Sequence, residues 1–286
     1  MEFIKQAQEI PLSSSFYPTE WKTLSNPPER VYAVGDISLL KTRKFTIVGS
    51  RRTPAPISKL TQTTAKELSF VFTLVTGTAD GGDTDVIEGA LLGSGKVICI
   101  LAGGFSAIPQ GNLPVLKKVA ERGLLLSPHP HDTCVRAFSY EYRNKLLAAL
   151  GEGTLVVSAG EKSGALITAK YATEFEKSVF AFPYPPNAYA GAGCNALLKK
   201  GGYLTENIID ICERFGIHCI EKKGANVSLS PDEEALLTAL KKLAEGHINE
   251  LSASSGIPLF KARALLSALE VKGVVASLGG NRYAPV

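Results

Sequence analysis

The sequence predicts an α/β protein, a parallel sheet with helices on both faces, followed by a small winged-helix domain. Three observations carry that prediction. Short, continuous β-branched runs recur between residues 45 and 182 and alternate with stretches of helical periodicity. Most runs stop at glycine or a hydroxyl residue, where a buried strand would have to turn. Around residues 221–231 the pattern changes to three short helices and a glycine hairpin.

Residues 1–40 are irregular and marked by Pro11, Pro18, Pro27 and Pro28, with Val31-Tyr-Ala-Val-Gly-Asp36 reading as a short strand and turn. This is a lead-in. The first sheet strand is Phe45-Thr-Ile-Val-Gly-Ser-Arg-Arg52, in which an apolar run meets Gly49 and then a hydroxyl and two guanidinium groups. Ser58 is expected to cap the next helix. Phe72-Thr-Leu-Val-Thr76 is the second strand, ending in Gly77-Thr-Ala-Asp-Gly-Gly-Asp83, where Asp83 or Thr84 would cap the following helix. Val97-Ile-Cys-Ile-Leu101 is the third strand, with Cys99 in the core, and residues 113–121 form a helix. Leu124-Leu-Leu-Ser127 is the fourth strand, followed by a loop with His129 and His131 and a helix over residues 142–150. A fifth strand at residues 154–158, a helix at 163–175 and a sixth strand at 178–182 complete the sheet domain.

Beyond it, Ser230-Pro-Asp-Glu-Glu234 starts a helix with Leu236, Leu237, Leu240 and Leu243 at helical spacing. Residues 248–254 form a second helix, stopped by Gly256 and Pro258, and residues 259–272 a third, with Leu265, Leu266 and Leu269 inward. Val274–Ala284 reads as a hairpin turning at Gly279-Gly280. The boundaries expected are therefore a lead-in at 1–40, a sheet domain at 41–220, a linker at 221–229 and a winged helix at 230–286.

Composition bounds the function. The 286 residues are 45% hydrophobic and 20% charged, with a net charge of +4, which fits a globular protein and is too small alone to require a nucleic-acid partner. Five cysteines without C-x-x-C spacing argue against a disulfide framework or a zinc site and fit a reducing, cytoplasmic setting. No signal-peptide core and no membrane-length apolar run is present, so no membrane role is expected.

The chemistry gathers at the strand ends. In an open α/β sheet, ligands bind outside the carboxyl ends of the strands, which places Gly49, Ser50, Arg51 and Arg52 beside a bound molecule. Between Lys41 and Arg52 there are five basic residues and no acidic one, so an anion fits; solvated arginines at a tight turn fit as well. Neither G-x-G-x-x-G after a strand nor G-x-x-x-x-G-K-[ST] occurs, which removes the best markers of dinucleotide and triphosphate binding. Ser163 at a strand-to-helix junction reads either as a nucleophile beside Lys162 or Lys170, or as a cap whose neighbouring N–H groups face an anion. Tyr140, three residues before Arg143, could stack on a base or pack ordinarily. Asp80, Asp83, Asp85 and Glu88 are the only close carboxylates near a strand end. No catalytic constellation, cofactor or metal site is expected.

Five motifs in order give a resemblance: Val48-Gly-Ser-Arg51, Thr76-Gly-Thr-Ala-Asp-Gly-Gly-Asp83, Tyr140-Glu-Tyr-Arg-Asn-Lys145, Ser163-Gly-Ala-Leu-Ile-Thr-Ala169 and Gly193-Cys-Asn-Ala-Leu-Leu198. With Asn26-Pro-Pro-Glu-Arg-Val-Tyr-Ala-Val-Gly-Asp36 they resemble the DNA-processing protein A (DprA/Smf) family from about Tyr17 onward. The resemblance implies an extended Rossmann-like domain that binds single-stranded DNA, forms a homodimer and loads RecA-type recombinase during natural transformation. The DNA-binding positions expected are Gly49, Ser50, Arg51, Arg52, Gly77, Tyr140, Arg143, Asn144, Lys145, Ser163, Gly164 and Thr168. Asp80, Ile87, Ile108, Lys145 and Ser158 depart from the family pattern. A nucleotide-binding or nucleotide-hydrolysing enzyme using the same crevice is the alternative. Duplex reading by the winged helix through Lys261, Arg263 and Arg282 is a third.

Overall fold

The computed structural model describes residue 4, residues 7–217 and residues 229–285, and the chain divides into two compact units, one up to residue 219 and the other from residue 220. All but Leu229 of the expected linker lies outside the described residues.

The first unit is built on a nine-stranded sheet: β1 (Gln8–Pro11), β2 (Arg30–Gly35), β3 (Lys44–Gly49), β4 (Thr73–Thr76), β5 (Val97–Ile100), β6 (Leu124–Ser127), β7 (Gly153–Ser158), β8 (Ser178–Ala181) and β9 (Tyr203–Leu204). Its helices are α1 (Thr19–Lys22), α2 (Ala55–Leu68), α3 (Gly82–Leu92), α4 (Leu113–Arg122), α5 (Ala137–Leu150), α6 (Ala165–Glu174), α7 (Ala192–Lys199) and α8 (Ile208–Arg214). The strand order is β1-β2-β6-β5-β4-β3-β7-β8-β9, parallel from β6 to β9, with β2 antiparallel to β6 and β1 antiparallel to β2.

Successive residues of the inner strands enter opposite cores, as the pleat requires. Phe45 and Ile47 pack with α2, α3, α4 and α8, whereas Val48 packs with α5 and α6. Strands buried on both faces must be apolar throughout, which is why they read as continuous runs.

The lead-in does more than precede the sheet. It contributes β1 and β2 and sends Trp21, fully buried on α1, beneath α5, where Nε1 donates to the Leu146 carbonyl at 2.9 Å. Two helix starts differ from expectation. α2 begins at Ala55 behind Pro54, and Ser58 instead donates to Asp85 Oδ1 on α3 at 2.5 Å. α3 begins at Gly82 with Gly81 at φ +75°, and Asp83 turns its carboxylate back to the Ala79 N–H. Cys99 is buried, and it, Cys134 and Cys194 are free thiols, whereas Cys212 is disulfide-bonded and departs from the expectation of reduced cysteines.

The second unit comprises α9 (Pro231–Leu243), β10 (Gly246–His247), α10 (Ile248–Ser255), α11 (Leu259–Val271), β11 (Val275–Gly279) and β12 (Arg282–Pro285), the strands ordered β10-β12-β11. It is a winged helix. Ser230 and Glu233 form a reciprocal capping box on α9, through Ser230 N–H to Glu233 Oε2 (2.7 Å) and Glu233 N–H to Ser230 Oγ (3.3 Å). Leu236, Leu240, Leu251, Leu266 and Leu269 lie in its core, while Leu243, at the same helical spacing as Leu236 and Leu240, is 42% exposed.

Candidate functional site

The strand order changes direction at β3, with β4 on one side and β7 on the other. The chains leaving β3 and β7 therefore diverge, and a crevice of about 590 Å³ opens beyond their carboxyl ends. Its walls are residues 48–52, Gly160, residues 162–165 with Thr168, parts of α5, and Tyr189-Ala190.

Gly49 allows the first wall. A Cβ there would lie 2.8 Å from Gly82 Cα and 2.8 Å from Val157 Cγ2, so only glycine lets β3 end against α3. Ser50 is consumed in shaping the turn: its N–H donates to Ser158 O (2.8 Å), its Oγ to Arg52 O (3.0 Å), and its carbonyl accepts from Gly82 N–H (3.0 Å). Ser158, at a departure from the family pattern, is buried 3.0 Å from Ser50 Oγ. The turn throws Arg51 and Arg52 outward, exposed and without an ion pair among the described residues. The Arg51 guanidinium stacks 5.4 Å from the centroid of Tyr140, itself 40% exposed. Both residues also line a neighbouring cavity of about 160 Å³ that holds Asp80 and Asn112.

Arg143 is placed differently. It is 6% exposed, with Nε donating to Asn144 Oδ1 (3.0 Å), Nη1 donating to Ile100 O (3.2 Å), and Nη1 4.0 Å from Asp83 Oδ2. Burial pushes the Asp83 carboxyl up, against the pull of the Arg143 charge and the N–H groups of Ala79 and Gly49; burial also pulls the Arg143 guanidinium down, against Asp83. Gly77 makes room for the pair, since a Cβ there would lie 2.0 Å from Arg143 Nη1 and 2.3 Å from Asp83 Oδ2. Arg143 thus contributes wall more than free charge, and Gly77 acts from behind it.

The opposite wall is the start of α6. Asn144 Nδ2 donates to Gly164 O (3.2 Å), tying α5 to it, and Ser163 Oγ accepts from Ala165 N–H (3.3 Å). Thr168 is 1% exposed, lines the crevice, and its Oγ1 has no hydrogen-bond partner among the described residues.

Lys145 does not reach the crevice. Its Nζ donates to Ser25 Oγ (3.1 Å) and lies 5.9 Å from the Tyr171 centroid, beside Pro27, Phe138 and Tyr142. Two residues along a helix turn the side chain by about 200°, so Lys145 faces away from where Arg143 points. Lys170 also lies outside. Two crevice residues were not singled out for binding from the sequence. Lys162 lies in the loop leaving β7, where the rule that selects Arg51 would also select it, whereas Tyr189, 80% exposed, has no signal beyond being an aromatic in a loop. Among the described residues no group of acidic, cysteine or histidine side chains is placed to hold a metal, and no helix is long and apolar enough to cross a membrane.

Comparison with known proteins decides the family. Residues 8–216 match the family model described as DNA recombination-mediator protein A, and residues 221–281 match the DprA winged helix domain. The chain belongs to the DNA recombination-mediator protein A family. Within this DprA family, it is 37% identical over 212 residues to the DNA processing protein DprA of Bacillus subtilis (strain 168), covering 72% of this chain and 70% of that one. It is 27% identical over 283 residues to Protein Smf of Escherichia coli (strain K12), covering 95% and 76%. Among solved structures, the DNA processing protein A of Helicobacter pylori, described for its single-stranded DNA binding mode, superposes with a TM-score of 0.68 at 30% identity, covering 74% of this chain and 98% of that one. The DprA of Streptococcus pneumoniae gives a TM-score of 0.71 at 27% identity, covering 76% and 77%. Of the departures from the DprA pattern, Ile87 is core at 1% exposure, and Asp80 is exposed at the smaller cavity.

Proposed function

We propose that the chain binds single-stranded DNA in the crevice between the ends of β3 and β7 and presents it to a RecA-type recombinase. The observation that carries this reading is the exposed Arg51 guanidinium stacked on the exposed Tyr140 ring. An aromatic face beside cations holds unstacked bases with little sequence choice. Arg51, Arg52 and Lys162 neutralise phosphates, and Tyr140 and Tyr189 offer stacking surfaces. The Thr168 hydroxyl adds a donor on the opposite wall. The single-stranded DNA binding of the H. pylori relative supports the same reading.

The protein acts as a binding protein in the cytoplasm, as a homodimer, during uptake of transforming DNA. Recombinase loading and dimerisation rest on the family resemblance. A nucleotide-hydrolysing enzyme fits less well, because Asp83, the carboxylate inside the crevice wall, is buried against Arg143. Fluorescence anisotropy with labelled single- and double-stranded oligonucleotides across a salt series tests the proposal. A preference for single strands with a steep salt slope is expected. Absence of binding at low salt, or equal affinity for duplex, would overturn it.

A further inference from the structure

The winged-helix unit carries a helix face that nothing in the unit covers. α11 buries Ala262, Leu266 and Leu269, yet leaves Phe260 81% and Val271 89% exposed, with Ala264 and Ser267 exposed between them. These four residues are spaced 4, 3 and 4 apart, which places them on one stripe along the helix. The face is unsuited to reading duplex DNA. Lys261 pairs with Asp232, Arg282 with Glu245, and Arg263 donates to Asn281 Oδ1 at 3.4 Å. Across residues 229–285 the six basic residues Lys241, Lys242, Lys261, Arg263, Lys272 and Arg282 are matched by Asp232, Glu233, Glu234, Glu245, Glu250 and Glu270, so the unit lacks the basic excess of a nucleic-acid reader.

We propose that this face is a homotypic docking surface, occupied by α11 of a second copy of the chain lying antiparallel across a two-fold axis. The stripe reads the same from both ends: bulky, small, small, bulky. Antiparallel pairing therefore sets Phe260 against Val271 of the second copy and Ala264 against its Ser267, at both ends alike, as an isologous interface requires. The small central residues let the helices approach closely. Arg263 and Glu270 lie on one flank of the stripe, and the same two-fold brings each Arg263 to within about 3 Å along the axis of the facing Glu270. The pattern is thus complementary to itself in shape and in charge.

One helix of this length buries less than the roughly 1,200 Å² of a stable interface, so the contact is weak alone. It gains strength when another contact already holds two copies together, because the second encounter is then intramolecular. The proposal stands apart from the crevice and does not depend on what binds there.

The test uses the full chain with Cys134→Ser to remove an exposed native thiol. Phe260→Cys and Val271→Cys variants are prepared separately, mixed, and treated with a short bis-maleimide. The mixture is expected to cross-link several-fold more than either variant alone, because like positions lie about 16 Å apart along the axis in the antiparallel pair. Glu270→Arg should abolish that excess, and Arg263→Glu combined with Glu270→Arg on both chains should restore it. Equal cross-linking in mixed and single samples, or no rescue by the charge swap, would overturn the proposal. All four positions are exposed, and an unchanged melting temperature confirms that each variant is folded.

Discussion

The guanidinium of Arg51 lies 5.4 Å from the ring centroid of Tyr140, joining the turn after β3 to the first turns of α5 at the mouth of the crevice. Each side chain holds the other in the orientation a passing base and phosphate would meet. Tyr140→Ala is expected to weaken single-strand binding by about 1–3 kcal/mol, while Tyr140→Phe stays near wild type. Arg51→Ala should weaken binding and lower the slope of log affinity against log salt by about 1. Anisotropy titrations at several salt concentrations check both, and unchanged titrations for both alanine variants would remove the pocket assignment.

Lys162 and Lys145 provide an internal contrast. Lys162 lines the crevice and Lys145 does not. Lys162→Ala is expected to reduce single-strand affinity several-fold at low salt, and Lys145→Ala to leave it unaltered. The reverse order would mean that bound DNA runs along the Tyr142–Tyr171 surface instead.

Asp83, Arg143 and Gly77 form one packed group, so their variants should act on stability. Removing one member of a buried ion pair strands the other charge, and Asp83→Ala is expected to cost about 3–5 kcal/mol in urea unfolding. Gly77→Ala should be destabilising too, since its methyl would overlap the Arg143 guanidinium. A wild-type midpoint for both would show that the pair is dispensable.

Trp21 seals the underside of α5. Trp21→Ala removes a fully buried ring and leaves the Leu146 carbonyl without its donor. A loss of about 3–5 kcal/mol is expected in chemical denaturation, with the crevice residues untouched.

Lys177 sets a pH dependence. Its Nζ donates to the carbonyls of Ala148, Ala149 and Gly151 at the end of α5, and burial pulls its pKa down to about 8 from an ordinary 10.5. The unfolded chain therefore binds more protons than the folded one between about pH 8 and 10.5, so this residue's contribution to stability rises with pH across that window. The stability difference between wild type and Lys177→Met should shift in favour of wild type there, by at most about 3 kcal/mol. A difference that is flat from pH 7 to 11 would exclude it.

The inner sheet was legible because strands buried on both faces leave no polar alternation: Phe45 to Val48 and Val97 to Ile100 read directly as strands. Of the lead-in, Val31 to Asp36 read as a strand, but its pairing with β6 and the place of Trp21 beneath α5 did not, because both depend on elements far along the chain. β9 is two residues long and carries no periodicity. At the site, glycine after β3 and the family motifs pointed to Arg51 and Tyr140, and the structure brings them together. The burial of Arg143 was hidden, since its neighbours Gly77 and Asp83 come from another strand end. Lys145 was misplaced by following the motif's order in sequence, where the rotation of a helix sets its direction.

Trp21 and its acceptor, Leu146, are 125 residues apart. During synthesis at roughly 5–20 residues per second, the indole waits about 6–25 s for α5 to emerge. β2 likewise waits for β6. The lead-in is thus made before the elements that bury it, and the nascent chain carries an exposed indole and a β1–β2 ladder open on its β6 side while β3, β4 and β5 emerge.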